Sequence, residues 1–316
     1  MHAIGIDMSK DSFHAAFSDT HVCEFKNTED GIASFTEAMR SLGLQKEETV
    51  IGVESTGVYH LFLCVRLFEH GWHIHVINPT LTAQMISAGL RMVKNDRKDA
   101  RIIRMATALG KGHPFRDTPD ILALKALVSE REDIVRMRAE LKQRQRAHEI
   151  RAHACGVALH DSYAPVFAAL DAAVEDVNER LRGHATGTQQ LLQSVTGVGA
   201  TTAAFLVAYV GDISRFGSAE QLVAYVGIDP RVKQSGTSIR GRGYITKRGS
   251  QHLRTALYRA AFIAQRHDPE LHTYYKKKRA EGMHHVAVLC AIERKLVHRI
   301  FAVWKRGTPY VKTPKA

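Results

Sequence analysis

The chain has 316 residues, 45% of them hydrophobic. That length can close two or three domains around sizeable cores, and the composition excludes wholesale disorder. The net charge of +12 is uneven: residues 1–110 hold eleven Lys/Arg against thirteen Asp/Glu, a balance of −2, and the remainder holds 33 against 19, a balance of +14. Such a division points to a C-terminal part that meets a polyanion and an N-terminal part with a different task. No apolar run approaches the length a bilayer requires, no basic amphipathic helix with a broad aromatic face stands out, and the opening MHAIGIDMSKD lacks the regions of a signal peptide. A cytosolic protein without a membrane partner is expected. The four cysteines (Cys23, Cys64, Cys155, Cys290) stand far apart with no C-x-x-C pair, which disfavours zinc and suits reduced, partly buried thiols.

In chain order, HAIGIDMS, SFHAAFSD and HVCEFKN read as three short strands close enough to pair as an antiparallel meander. TEDGIASFTEAMRSLG reads as a helix, with Thr28 before two acids, Ile32, Phe35, Met39 and Leu42 near helical spacing, and Gly43 as a stop. A strand TVIGVES, a helix YHLFLCVRLFEHG, a strand HIHVINP ended by Pro79 and a helix NDRKDARIIRMATALGKG follow. The order βββαβαβα with right-handed crossovers predicts a mixed sheet in which the first and fourth strands are neighbours, the ribonuclease H-like arrangement.

That arrangement gives four acids a common place. Asp7 ends the first strand and Glu54 the fourth, which puts both at one edge of the sheet, and the last helix passes that edge with Asp96 and Asp99 about 4.5 Å apart along its axis. Converging carboxylates repel and raise one another's pKa, so the set makes sense around divalent cations. Hard oxygen ligands favour magnesium or manganese, and two such ions about 3.5 to 4 Å apart clamp the attacking and leaving oxygens of a phosphodiester displacement. Taken singly the acids have plain structural readings: a turn at a strand end for Asp7, a helix cap for Asp96, an arginine partner for Asp99. Actin-like ATPases share the element order, but IDMSKDS lacks their phosphate-loop glycine and no second such module follows.

After Asp117 the texture turns to long helices. Leu127, Ile134 and Leu141 recur at sevens, and Phe167, Leu170, Val174, Val177 and Leu181 alternate threes and fours, which predicts an antiparallel helical hairpin. LLQSVTGVGATTAAFLVAYVGDISRF has the pattern of a helix-hairpin-helix, whose second N-terminus can meet a phosphate without reading bases; a tight turn in the core is the alternative. RVKQSGTSIRGRGYITKRGS, residues 231–250, carries six Lys/Arg, no acid and four glycines. It reads as an extended or hairpin-shaped loop laid against phosphates, with Lys233, Arg240, Arg242, Lys247 and Arg248 as contacts and Ser235, Thr237 and Ser238 as hydroxyls. YYKKKRAEG adds aromatics beside basic residues, a weaker signal for the same partner, and the stripe Val288, Leu289, Ile292, Leu296, Ile300 and Trp304 predicts a core helix.

Two independent motif sets then carry a resemblance. GIDMSKD, VESTGVYH, VINP and KNDRKDA are similar to the four-carboxylate (DEDD) domain of the insertion-sequence one-ten family of transposases, which includes the pilin-gene invertases. TGVGATTAAFLVAYVGDISRF, AYVGIDPR, QSGTSIRG and KRGSQHLRTALYRAA resemble that family's C-terminal transposase domain. The resemblance implies a RuvC-like metal-dependent domain over 1–114, a helical linker over 115–185 and a serine-bearing domain over 186–316. It implies a magnesium or manganese site at Asp7, Glu54, Asp96 and Asp99, and Ser235 as nucleophile. It also implies a bacterial, nucleoid-associated DNA recombinase that acts as a homo-oligomer, dimer or tetramer, in several members guided by a noncoding bridge RNA. The competing functions are a RuvC-like structure-selective nuclease that hydrolyses DNA and a non-catalytic nucleic-acid-binding scaffold.

Overall fold

Alternation of apolar and polar residues makes the first three strands, β1 (His2–Met8), β2 (Ser12–Ala16) and β3 (Val22–Lys26), an antiparallel meander. The structure is a computed structural model that describes residues 1–55, 57–88, 96–157, 162–231, 244–246 and 249–311. Helix α1 (Glu29–Ser41) starts where the Thr28 side chain accepts a hydrogen bond from the Gly31 amide, has Glu29 and Asp30 in its first turn, and buries Ile32, Phe35 and Met39. Strand β4 (Thr49–Glu54) runs parallel to β1; α2 (His60–Glu69) leads to β5 (His73–Ile77), parallel to β4.

Here the chain departs from the sequence reading. Pro79 does not merely end a strand; it opens α3 (Pro79–Ala88), and Asn78 Oδ1 accepts from the Thr80 amide at 2.9 Å. Proline suits the first turn of a helix because the missing N–H would have no partner there. Helix α4 (Asp96–Ala108) follows, and β6 (His113–Pro114) closes the sheet antiparallel to β5, giving the order β3-β2-β1-β4-β5-β6. β1 and β4 are neighbours, as the element order predicts.

Two glycines seat α4 on this sheet. Gly5 and Gly52 face each other in the β1–β4 register. A Cβ on Gly5 would lie 2.1 Å from the Arg104 backbone nitrogen, and one on Gly52 1.8 Å from Thr107 Oγ1. The missing side chains leave a groove that admits the helix backbone, and Ala100, Ile103 and Ala106 are fully buried in it.

The chain divides into two compact units, residues 1–119 and 120–316. In the second, α5 (Pro119–Cys155) and α6 (Ala164–Gly183) run antiparallel: Arg131 Nε donates to Asn178 Oδ1 at 2.8 Å, and Arg138 grips Asp171 with two hydrogen bonds. Then come α7 (Gly187–Leu192), α8 (Ala200–Val210), α9 (Ala219–Val226), the two-residue strands β7 (Pro230–Arg231) and β8 (Tyr244–Ile245), α10 (Gln251–His267), α11 (Pro269–Ala280) and α12 (His285–Arg306). Helix α8 is apolar on all sides and sits in the middle of the core, with Ala203 through Ala208 and Val210 buried. Leu124, Leu127 and Val128 of α5 and Val177 and Leu181 of α6 join the same core, so the hairpin is packed into this unit by its base. In the α7–α8 turn, Gly197 takes φ +97°, and a Cβ on it would lie 2.5 Å from the Ala260 carbonyl oxygen of α10; Gly199 is exposed and caps α8. The α12 stripe is core except Trp304, which is partly buried. Cys155 is exposed, not partly buried as expected, while Cys64 is fully buried. Among the described residues no helix is long and apolar enough to cross a membrane.

Candidate functional site

β1 and β4 pair in register as far as Ile6 and Val53. One step further in that register stand Asp7 and Glu54, whose side chains leave the same face as Gly5 and Gly52, the face that α4 covers. Because Gly5 meets Ala100 and Arg104, and Asp7 lies two residues closer to the strand's C-terminal edge, α4 brings its first turn to that edge. The result is close convergence: one carboxylate oxygen each from Asp7, Asp96 and Asp99 lies within 4.8 Å of the other two. Asp96 is exposed and Asp7 and Asp99 are half-buried, so the cluster is open on one side.

Electrostatics follow from that geometry. Burial pushes the Asp7 carboxyl up to about 7; the charges of Asp99, Glu54 and Asp96 push the same way, against a hydrogen bond from the Met8 amide. Placing Asp96 and Asp99 at the positive end of the α4 dipole offsets part of their repulsion. The donor set is oxygen only and rich in negative charge, so the residues fit a hard divalent cation: a bound ion would offset the neighbouring charges that, with burial, favour the protonated form of Asp7. Glu54 stands outside the 4.8 Å group but contributes to the field at Asp7. Its Oε2 is 2.6 Å from the hydroxyl of Thr82, a buried residue of α3 that also lies 2.9 Å from the Pro79 carbonyl oxygen. The hydroxyl has a single proton, and the carboxylate is the stronger acceptor.

Thr82 is the residue that sequence reasoning missed. Its signal was the pair Asn78-Pro79, a cap followed by a first-turn proline, which would have placed a helix and a threonine facing back toward the strand ends.

Ser235, Lys233, Arg240, Arg242, Lys247 and Arg248 lie outside the described residues. The described residues on either side are held together. Pro230 pairs with Ile245 and Arg231 with Tyr244, antiparallel, and the Thr246 amide donates to the Asp229 carbonyl at 2.9 Å. Ser250 caps α10, and the Arg254 guanidinium spans the Gly249 and Val226 carbonyls.

The sequence matches two family models. One, described as a transposase and of the DEDD type named for IS110, covers residues 4–148; the other, described as the IS116/IS110/IS902 family of transposases, covers residues 189–276. A pilin gene-inverting protein of Moraxella lacunata is 28% identical over 98% of this chain and 97% of its own length. The transposase of insertion sequence IS1328 from Yersinia enterocolitica is 25% identical over 98% of both chains. The transposase of IS1111A from Coxiella burnetii is 40% identical over 31% of this chain and 27% of its own length. The first family model spans all four acids, and a DEDD domain implies a divalent-metal site.

Proposed function

We propose, from the premise that this chain belongs to the IS110 family of transposases and is a DNA transposase, that it cuts and rejoins DNA through a covalent serine intermediate at a magnesium- or manganese-dependent carboxylate site. The observation that carries the reading is the convergence of Asp7, Asp96 and Asp99 beside Glu54 at the C-terminal edge of β1 and β4. The sheet order supports an RNase H-like, RuvC-like fold for residues 1–114. Residues 115–185 would serve as a helical linker and 186–316 as the serine-bearing transposase domain. When bound, a divalent pair supplies Lewis-acid stabilisation of the attacking and leaving oxygens of the phosphodiester. Asp7, Asp96 and Asp99 would hold that charge in place, and Thr82 would fix the orientation of Glu54.

Ser235 Oγ is the proposed nucleophile. Its bond to phosphorus forms as the P–O bond to the departing strand breaks, and the hydroxyl proton ends on the departing oxygen. The serine–DNA phosphoester keeps the bond energy for rejoining, which water as attacker would discard. Lys233, Arg240, Arg242, Lys247 and Arg248 would hold phosphates, and a homo-oligomer and a structured guide RNA complete the proposed assembly. The test is trapping of protein–DNA adducts in the presence of magnesium. Wild type should form adducts; Asp7→Asn and Ser235→Ala should each bind DNA and form none, and Ser238→Ala should retain them. Adducts from Ser235→Ala would overturn the nucleophile, and free cut ends without adducts would favour a hydrolytic nuclease.

A further inference from the structure

A cavity of about 440 Å³ opens between α11 and α12, lined by Glu270, Tyr274, Arg294, Lys295, His298 and Arg299. Its basic groups are not equivalent. Arg299 is a structural cation, bonded to the buried Asp268 at 2.8 Å and to Glu270 at 2.5 Å, and Lys295 shares Glu270 at 3.9 Å while its ammonium lies 4.8 Å from the centre of the Tyr274 ring. Glu270 is thus already committed. Arg294 and His298 differ: neither has an ion pair or a hydrogen bond among the described residues, and of the two only Arg294 carries a permanent charge. Glu220 of α9 feels the charges of Arg294 and His298, yet lies beyond ion-pair range of both.

A guanidinium in a cavity wall that no carboxylate neutralises keeps its outer N–H donors available to an anion that enters. The cavity is within the size range that takes a ligand group. An anion of tetrahedral shape with several acceptor oxygens suits the lining, since Arg294, Lys295 and His298 all border the cavity from α12. The basic character continues past the cavity: Lys277 follows Tyr274 by one turn on α11 and is exposed. We propose that this cavity is a phosphate subsite for a nucleic-acid strand, with Arg294 as its principal contact and Lys277 and Lys295 on the strand's path. The inference rests on the reading of the chain as an enzyme of nucleic acids, and adds contacts that lie outside residues 231–250 in the sequence. The chemistry of a backbone phosphate is common to a DNA duplex and a guide RNA strand, and the experiment separates them.

Binding of the full-length protein to a labelled DNA duplex and to a labelled single-stranded RNA would be titrated by fluorescence anisotropy over a salt series. Arg294→Gln should weaken binding about fivefold at low salt and reduce the slope of log affinity against log salt by about 0.9 for duplex or about 0.7 for the single strand. Arg294→Lys, which keeps the charge, should restore most of the slope. Loss with the duplex alone assigns the site to DNA, and with the single strand alone to RNA. A slope equal to wild type with both probes overturns the proposal while leaving the transposase reading intact, whereas absence of any nucleic-acid binding by wild type would sink that reading itself and this one with it. Should Arg294→Gln not fold, acylation footprinting of the wild-type chain decides: Lys295, 42% exposed, should lose reactivity when nucleic acid is bound, and unchanged reactivity overturns the subsite.

Discussion

The two units handle charge in opposite ways. The N-terminal unit concentrates like charges, bringing three carboxylate oxygens within 4.8 Å with a fourth acid beside them. The C-terminal unit disperses opposite charges over its helices, pairing Arg131 with Glu132, Arg138 with Asp171, Arg180 with Glu130 and Arg299 with Asp268. The exposed pairs among them, Arg138–Asp171 and Arg180–Glu130, stabilise weakly and say little about function. Concentrated like charges cost stability, and such a cluster is a candidate site for a cation or a reaction. The informative groups are therefore the acids that crowd at the edge of β1 and β4, and Arg294, which has no ion pair among the described residues of the other unit.

The comparison breaks most sharply at the acids themselves. Asp99→Asn removes a carboxylate without changing shape and should lower strand cleavage by at least about 10²-fold, as loss of a major electrostatic group at a reaction centre does. DNA affinity should stay within about twofold, because the basic surplus lies downstream of residue 110. A cleavage assay and a binding titration on one preparation check both. Comparable losses in the two would mean that the acids support the fold and not the chemistry.

Next in size is the platform beneath them. Gly5→Ala forces a Cβ to within 2.1 Å of the Arg104 backbone nitrogen, so α4 must lift from the sheet. Overpacking of this kind costs roughly 1–3 kcal/mol, more where backbone is the obstacle. Urea unfolding should show the N-terminal unit destabilised and the C-terminal unit unmoved. Gly43→Ala should cost less, because no atom stands within 4 Å of the added methyl and only its φ of +69° opposes the change.

These positions also show what was legible in the sequence. The meander, α1 and the β1–β4 edge could be read because alternation, a threonine cap and a crossover rule each act locally, so Asp7 and Glu54 could be placed before any coordinates. α3 could not, because Pro79 was read as a terminator when it stood in a helix's first turn, and Thr82 was hidden with it. β6 has two residues, too few for any period. In the C-terminal unit the sequence showed that helices would form but not which groups lacked partners: the isolation of Arg294 depends on how α11 lies against α12. Gly197 and Gly199 look alike in the string GVG, and only packing shows that Gly197 meets the Ala260 carbonyl while Gly199 meets nothing.

Thr82→Val sharpens the comparison at a smaller scale. It keeps the shape, removes the hydroxyl 2.6 Å from Glu54 Oε2, and should weaken manganese affinity by about 10–100-fold, the usual range for a group that orients a ligand. Isothermal titration with manganese checks it. Affinity equal to wild type would show that Glu54 needs no such support.

The smallest effect separates the units by pH. Among the described residues each shows a carboxyl pushed up to about 7: Asp7, by burial and its acidic neighbours, and Glu293, by burial that the Cys290 hydrogen bond and the charge of Arg254 only partly oppose. A carboxyl raised in the folded state stabilises it fully below the unfolded value near 4, and that contribution is lost as pH rises through about 7. Both units should therefore weaken between about pH 4 and 7 without metal. A divalent cation favours the charged form of Asp7 and competes with its proton, so saturating magnesium should reverse the trend in the N-terminal unit and tighten with rising pH through about 7. Glu293, away from any acid cluster among the described residues, should not respond to magnesium, and Glu293→Gln should flatten the pH dependence of the C-terminal unit. The chain's two tryptophans make this measurable, since Trp72 lies in the first unit and Trp304 in the second. Trp304→Phe and Trp72→Phe proteins then report each unit's melting separately. A magnesium-dependent reversal at both tryptophans would mean that the units melt together or that metal binds elsewhere, and no reversal at Trp72 would remove the acids' claim to a metal site.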